Sequence, residues 1–239
     1  MQKIWIGFST KSYFSHRQLI EWLEAASIQS VPDSVVRFVI PSLPSIPDAL
    51  LASRGNFAVG AQDVSSFAAG PHTGDTPATL LCELGVSLIE IGHAEQRQRG
   101  LSDSEIASKV ARVQDSGMRV LLCVGEPERS DPETAAAFCL GQIRASGAKV
   151  ENTLVAYEPV WAIGASEPAA TQHILETVRA VRAELKEQPL AILYGGTAGP
   201  GLLAELFPEV NGLFLGRRAH DPHAFNAVVA EAGALLPRE

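Results

Sequence analysis

The chain has few cysteines, no long apolar run and no excess of positive charge. Its three cysteines, Cys82, Cys123 and Cys139, are odd in number and form no CxxC pair, which favours reduced, packed thiols over a disulfide framework. No apolar run reaches the roughly 18 residues of a membrane-spanning helix. The formal net charge of -8 argues against a nucleic-acid or anionic-membrane partner, since both require basic surfaces.

Targeting and metal-binding patterns are also missing. The first residues, MQKIWIGFSTKSYF, contain no uninterrupted apolar core and no small-residue cleavage site, so we expect a cytoplasmic protein. The histidines are scattered, without an HxxxH motif or a Cys/His cluster. We therefore expect neither a metal nor another cofactor.

Short apolar, β-rich segments recur along the chain and predict its fold. They lie at 3–9, 35–41, 57–62, 86–92, 119–125, 152–158, 190–196 and 212–216. Amphipathic helical patterns separate most of them, which indicates a parallel sheet covered by helices. Eight such units in 239 residues match one closed (β/α)8 barrel, which takes roughly 250 residues, so we expect a single α/β domain over residues 1–239.

An open, doubly wound sheet is the alternative fold. It usually has fewer strands, and its first turn often carries a GxGxxG fingerprint, which follows none of the predicted strands here. The proline-rich segment 41–55 continues into a helical pattern, and it is interpreted as a loop after the second strand.

Polar residues end several of the apolar segments. In a (β/α)8 barrel the active site forms at the C-terminal ends of the strands. The residues there are Ser9, Lys11, Gln62, His93, Glu95, Glu126 and Glu158, followed by the glycines Gly195, Gly196 and Gly216. A lysine, a histidine and a glutamate meeting on one rim predict a catalytic site, and the exposed backbone N–H groups of the glycine-rich ends predict an anion site.

Five stretches in order along the chain resemble the triosephosphate isomerases. AYEPVWAIG (156–164) resembles the signature of that family, and IEIGHAEQR (89–97) its histidine motif. GAQDVS with HTGD (60–75), CVGE (123–126) and LYGGT (193–197) resemble its third loop and the ends of its fifth and seventh strands. We identify the chain as a member of this family.

The resemblance implies an aldose-ketose isomerase of glycolysis and gluconeogenesis that interconverts dihydroxyacetone phosphate and glyceraldehyde 3-phosphate. Glu158 would be the general base and His93 a neutral electrophile that polarises the carbonyl. Lys11 would supply positive charge, with Glu95 orienting it.

The resemblance also implies a lid and a dimer. Residues 159–169 would close over the phosphate, which the backbone of Gly164, Thr197 and Gly216 would bind beside Gly195 and Gly196. In the family the third loop reaches a neighbouring subunit, and Thr73 matches the threonine that touches the site there. A homodimer is therefore expected.

Three departures from the family pattern leave the substrate open. Ser9 replaces an asparagine, and Arg217 replaces the second glycine of the eighth loop, where it would be strained or would add a cation to the phosphate pocket. The AGPG of the seventh loop is more similar to a branch that isomerises four-carbon ketose phosphates such as erythrulose phosphate. A non-catalytic protein that binds sugar phosphates is the alternative of a different class.

Overall fold

The predicted barrel is confirmed. The computed structural model describes residues 3–27 and 30–236, and within them eight strands form one closed sheet. The strands are β1 (Ile4–Ser9), β2 (Val35–Ile40), β3 (Ala58–Ala61), β4 (Leu88–Ile91), β5 (Arg119–Val124), β6 (Thr153–Tyr157), β7 (Ala191–Gly196) and β8 (Gly212–Leu215). Neighbouring strands are parallel, and β8 closes on β1 with Trp5 opposite Gly212. The open sheet is therefore excluded.

Helices surround this barrel. They are α1 (His16–Ala26), α2 (Ile46–Ser53), α3 (Ala78–Leu84), α4 (Ala94–Gln98), α5 (Asp103–Asp115), α6 (Pro132–Ser146), α7 (Thr171–Glu184), α8 (Leu202–Leu206) and α9 (Pro222–Leu235). No helix in the described part of the chain is long and apolar enough to cross a membrane.

Polar caps determine where several of these helices begin. The Ser15 hydroxyl accepts the N–H of Gln18 at the start of α1, and the Gln18 side chain accepts the N–H of Ser15. Ser102 and Glu105 form the same reciprocal pair at α5. Each pair satisfies two backbone donors that a helix start leaves free. The helix that follows β1 therefore has a defined start, as does one that follows β4.

Apolar side chains fill the barrel interior and the layer between barrel and helices. The interior cluster includes Trp5, Phe38, Leu88 and Leu121. On β4, Leu88 points inward because side chains alternate along a strand, and Ile89 packs outward in the larger cluster. The inner cluster closes the barrel below, so the open space lies at the C-terminal ends of the strands.

Two local predictions were wrong. Segment 41–55 is largely helical, because a 3-10 turn (Leu43–Ser45) leads into α2. Pro47 lies in the first turn of α2, where a backbone N–H has no partner within the helix, so proline breaks no hydrogen bond there. Cys82 is free but exposed, because it lies on the solvent side of α3, whereas Cys123 and Cys139 are free and buried as expected.

Candidate active site

A cavity of about 630 Å³ opens at the C-terminal ends of the strands. The predicted site residues that line it are Ser9, Lys11, His93, Glu95, Glu158, Gly164, Gly196, Thr197, Gly216 and Arg217. Gly195 lies directly behind Glu158. Thr73 lies exposed in the loop after β3 and does not line this cavity. The fold thus brings the predicted residues together on one rim, with Thr73 apart from them.

Glu158 follows β6, and it is buried with an exposed fraction of 5%. Its Oε2 has no hydrogen-bond partner among the described residues and lies 3.8 Å from Nε2 of His93. Two glycines leave room for it. A Cβ at Gly125 would lie 1.9 Å from the Glu158 carbonyl oxygen, and one at Gly195 would lie 2.4 Å from its Cγ. A larger residue at Gly195 would displace the carboxylate, and one at Gly125 would displace the backbone that carries it.

His93 caps the N-terminus of α4. Its Nδ1 accepts a hydrogen bond of 3.1 Å from the backbone N–H of Glu95. An accepting ring nitrogen carries no proton, so the neutral imidazole holds its proton on Nε2. This nitrogen faces Glu158, and His93 can therefore donate a hydrogen bond into the cavity.

Lys11 lies in the turn after β1 with φ of 47°, a left-handed conformation that side-chain-bearing residues rarely adopt. Its carbonyl accepts hydrogen bonds of 2.9 Å from Gln62 and from Ser42. Its Nζ pairs with Oε1 of Glu95 at 2.7 Å. Partial burial acts to raise the pKa of Glu95, but the hydrogen bond and charge of Lys11 bring that pKa below its ordinary value. The lysine is therefore held at both its backbone and its ammonium group.

Glu90 is a second buried carboxyl close to these groups, and the sequence analysis missed it. It lies on β4 and is 3% exposed. The pKa of Glu90 is raised to about 7, mainly by burial and further by the charge of Glu158, against the opposing effects of His93, Ser9 and Lys11. The signal in the sequence was a charge inside the apolar segment LIEIG. Gly125 was also missed, although a glycine ends the fifth segment.

The candidate lid, residues 159–169, is tied down where it begins. A 3-10 turn (Val160–Ala162) follows Pro159. The indole N–H of Trp161 donates a hydrogen bond of 2.7 Å to Oε1 of Glu126, a buried carboxylate after β5. This contact holds the start of the candidate lid against the barrel.

The second half of the candidate lid is hydrogen-bonded to β7 and to the loop that follows β7. The N–H of Ala169 donates to the hydroxyl of Tyr194 at 3.0 Å, and the hydroxyl of Thr197 donates to the carbonyl of Ala165 at 2.7 Å. Between the two anchors, Gly164 is exposed with φ of 75°. Residues 163–166 of the candidate lid therefore line the cavity, and hydrogen bonds hold the segment at Trp161, Ala165 and Ala169.

Positive charge gathers at the rim of the cavity although the chain is acidic overall. Arg217 and Arg218 line it together with Lys11. Arg217 begins a 3-10 turn (Arg217–His220) and does not adopt the left-handed conformation of a glycine, so it is unstrained and contributes a cation. Sequence reasoning missed Arg218, although it lies in the run RRAH. An anion bound beside Gly216 would meet this local positive field.

The fold and the site together define a class: a (β/α)8 barrel that brings a buried glutamate and a histidine together at its strand ends, next to a rim lined by glycine and arginine residues. Within the described residues, no group of three or more His, Cys, Asp or Glu could hold a metal ion. The model of the triosephosphate isomerase family matches residues 4–232. The chain belongs to the triosephosphate isomerase family.

Curated relatives carry two names. The chain is 39% identical to an L-erythrulose-1-phosphate isomerase of Pectobacterium atrosepticum, over 98% of this chain and 97% of the relative. It is 32% identical to a triosephosphate isomerase of Synechococcus sp., over 96% of this chain and 97% of the relative. A second L-erythrulose-1-phosphate isomerase, from Rhizobium etli, is 31% identical over 98% of this chain and 94% of the relative. Both groups are sugar-phosphate isomerases of one family.

Proposed function

We propose that the protein is an aldose-ketose isomerase that interconverts dihydroxyacetone phosphate and glyceraldehyde 3-phosphate through an enediolate. The observation that supports this most directly is the position of Glu158 and His93, whose Oε2 and Nε2 face each other at 3.8 Å in a buried site. This proton transfer requires a base and a hydrogen-bond donor that face the same cavity, so that both reach adjacent atoms of one ligand.

Glu158 is the general base in this proposal. Its Oε2, which no described residue hydrogen-bonds, takes a proton from the carbon next to the substrate carbonyl and returns it to the neighbouring carbon. The side chain of Glu158 packs against Gly195, its backbone carbonyl packs against Gly125, and its Oε2 has no hydrogen-bond partner among the described residues. It therefore keeps a free lone pair for the proton.

His93 and Lys11 stabilise the charge that develops on oxygen. Nε2–H of His93 polarises the carbonyl and moves a proton between the two enediolate oxygens, while Lys11 supplies positive charge. In a buried site these interactions are stronger than in water because the surrounding dielectric is lower. Glu95 acts as a positioning residue through its 2.7 Å contact with Lys11.

The phosphate binds at the rim in this proposal. The backbone around Gly164, Gly196 and Gly216 donates N–H groups to it, and Arg217 adds a positive charge. Closure of residues 159–169 over the phosphate would exclude water, which protects the enediolate from loss of phosphate.

The assembly and location are part of the same proposal. The whole chain, 1–239, acts as one catalytic domain in the cytoplasm and forms a homodimer. Thr73 is exposed, and it does not line the main cavity of its own subunit, which fits a contact with the lysine region of a neighbouring one.

A four-carbon ketose phosphate is the second candidate substrate. Ser9 stands where the family resemblance predicts an asparagine, and it is smaller. The relative at 39% identity is named for L-erythrulose 1-phosphate. Both observations favour a site with room for a substrate longer than a triose phosphate.

Coupled assays with dihydroxyacetone phosphate and with erythrulose phosphate test the proposal. Turnover of the triose phosphate supports the first substrate, and turnover of erythrulose phosphate alone supports the second. A non-catalytic binding protein would turn over neither, and it would bind the enediolate mimic phosphoglycolate no more tightly than a simple phosphate ester. An isomerase prefers the mimic because its site is complementary to the transition state.

A further inference from the structure

Glu90 is a buried charge for which the proposed reaction has no use. On β4, Leu88 belongs to the interior cluster, whereas Ile89 and Ile91 pack outward toward the helices. Since residues two apart share a strand face, Glu90 points into the barrel directly above Leu88. It therefore lies at the base of the active site, on the strand that leads to His93.

A second cavity, of about 450 Å³, reaches this carboxyl. Glu90, Ser9, Lys11 and His93 line it, and the last three also line the main cavity. Because the two cavities share these walls, a ligand whose reacting carbons lie against Glu158 and His93 in the main cavity can extend past Lys11 as far as Glu90.

Ser9 forms another wall of this extension. Its Oγ accepts the backbone N–H of Lys11 at 3.4 Å, and Ser9 lies close enough to Glu90 to act on the pKa of that carboxyl, which it lowers. Because a serine side chain is shorter than the asparagine expected from the family resemblance, Ser9 fills less of the cavity beside Glu90.

The direction of the bound substrate follows from the rim. With the phosphate at Gly164 and Gly216, the other end of the sugar points toward Ser9 and Glu90. A four-carbon ketose phosphate carries a hydroxymethyl group there, where the triose phosphate has a hydrogen. The added hydroxyl would be buried, and a buried hydroxyl requires hydrogen-bond partners.

We propose that Glu90 and Ser9 form a subsite for the hydroxymethyl group of a four-carbon ketose phosphate, and that this subsite selects the longer substrate over a triose phosphate. The inference rests on the proposed isomerase chemistry, with the second candidate, the four-carbon ketose phosphate, as the preferred substrate. With its pKa raised by burial to about 7, the carboxyl can donate as well as accept a hydrogen bond near neutral pH. The subsite also gives a reason for a buried carboxyl in an otherwise apolar part of β4.

Substrate preference in Glu90→Leu and Glu90→Gln tests the subsite. We expect Glu90→Leu to lower kcat/KM for erythrulose phosphate by roughly 10- to 100-fold more than for dihydroxyacetone phosphate, the effect of losing one strong hydrogen bond. Glu90→Gln keeps the size and the hydrogen-bonding groups, so it should retain most of the preference. Thr177→Val, a buried change in α7 that lines neither cavity, is the control and should leave the preference unchanged.

A binding measurement separates the subsite from catalysis. In a Glu158→Gln background, calorimetry gives the Kd of each sugar phosphate with and without Glu90→Leu, and we expect selective weakening for the four-carbon ligand. Selective weakening in a protein whose wild type turns over neither substrate would support the subsite and refute the isomerase. Equal losses for both ligands, or an unchanged preference, would overturn the subsite and leave the isomerase intact.

Discussion

Replacing Glu90 with glutamine is expected to stabilise the fold in a pH-dependent way. Burial raises the pKa of Glu90 from 4.5 to about 7. Between these values the folded protein keeps a proton that the unfolded chain has already lost. The free energy of unfolding of the wild type therefore falls as pH rises through this window, and the loss is complete above pH 7.

The size of the effect follows from the shift. One pKa unit corresponds to about 1.4 kcal/mol, so the shift destabilises the wild type by about 3 kcal/mol above pH 7 relative to pH 4.5. Glutamine has the same shape and does not titrate. The stability difference between Glu90→Gln and wild type should therefore grow by about 3 kcal/mol across this range, in favour of the variant.

Urea denaturation at several pH values from 4.5 to 8 measures this difference. The same substitution at Glu105 is the control, because the pKa of this exposed carboxyl is lowered by hydrogen bonds from Ser102. Glu105 stabilises the fold above its unfolded pKa, so Glu105→Gln should weaken the protein at neutral pH. A Glu90→Gln effect of equal size at every pH would refute the reasoning, because it would mean that Glu90 titrates normally.

Three further substitutions test the geometry of the site. Gly195→Ala places a Cβ 2.4 Å from Cγ of Glu158. We expect kcat to fall by at least roughly 10-fold while KM changes little, because a displaced base slows the chemical step more than it weakens binding. An unchanged kcat would contradict the placement of the base. Tyr194→Phe removes the hydroxyl that accepts the Ala169 N–H. We expect the free energy of lid closure to become less favourable by about 1–3 kcal/mol, which weakens phosphoglycolate binding. An unaltered affinity would exclude a role for this hydrogen bond. Lys11→Met should raise the Kd of phosphoglycolate by roughly 10-fold or more. If the Kd is unchanged and does not depend on salt concentration, Lys11 does not contact the ligand.

The succession of strands and helices could be predicted because it depends on local patterns. Apolar runs at 35–41 and 119–125 and capped amphipathic segments such as the one that begins at Ser102 carry their own signals. Segment 41–55 carried a helical pattern as well, but its prolines were given more weight and it was interpreted as a loop, although the first turn of a helix tolerates proline.

The candidate site was predictable where its residues end strands or resemble family motifs. Lys11, His93 and Glu158 lie at strand ends, and barrel closure brings strand ends onto one rim. Glu90 was missed because a charge in an apolar run has no local signal that distinguishes the barrel interior from its outer face. For Arg217, local reasoning left two conformations open, and only the turn Arg217–His220 distinguishes them.

The amino-acid order alone determines the repeating strand and helix pattern, since propensity, capping and apolar periodicity act over a few residues. The 3.8 Å approach of Glu158 to His93, the close packing of Gly195 on the base and the burial of Glu90 beside Ser9 join residues that are distant in the chain. These contacts exist only because hydrogen bonds between β8 and β1 close the sheet. Closure sets which side chains face inward and how far water is excluded, and these two quantities determine the chemistry of the site.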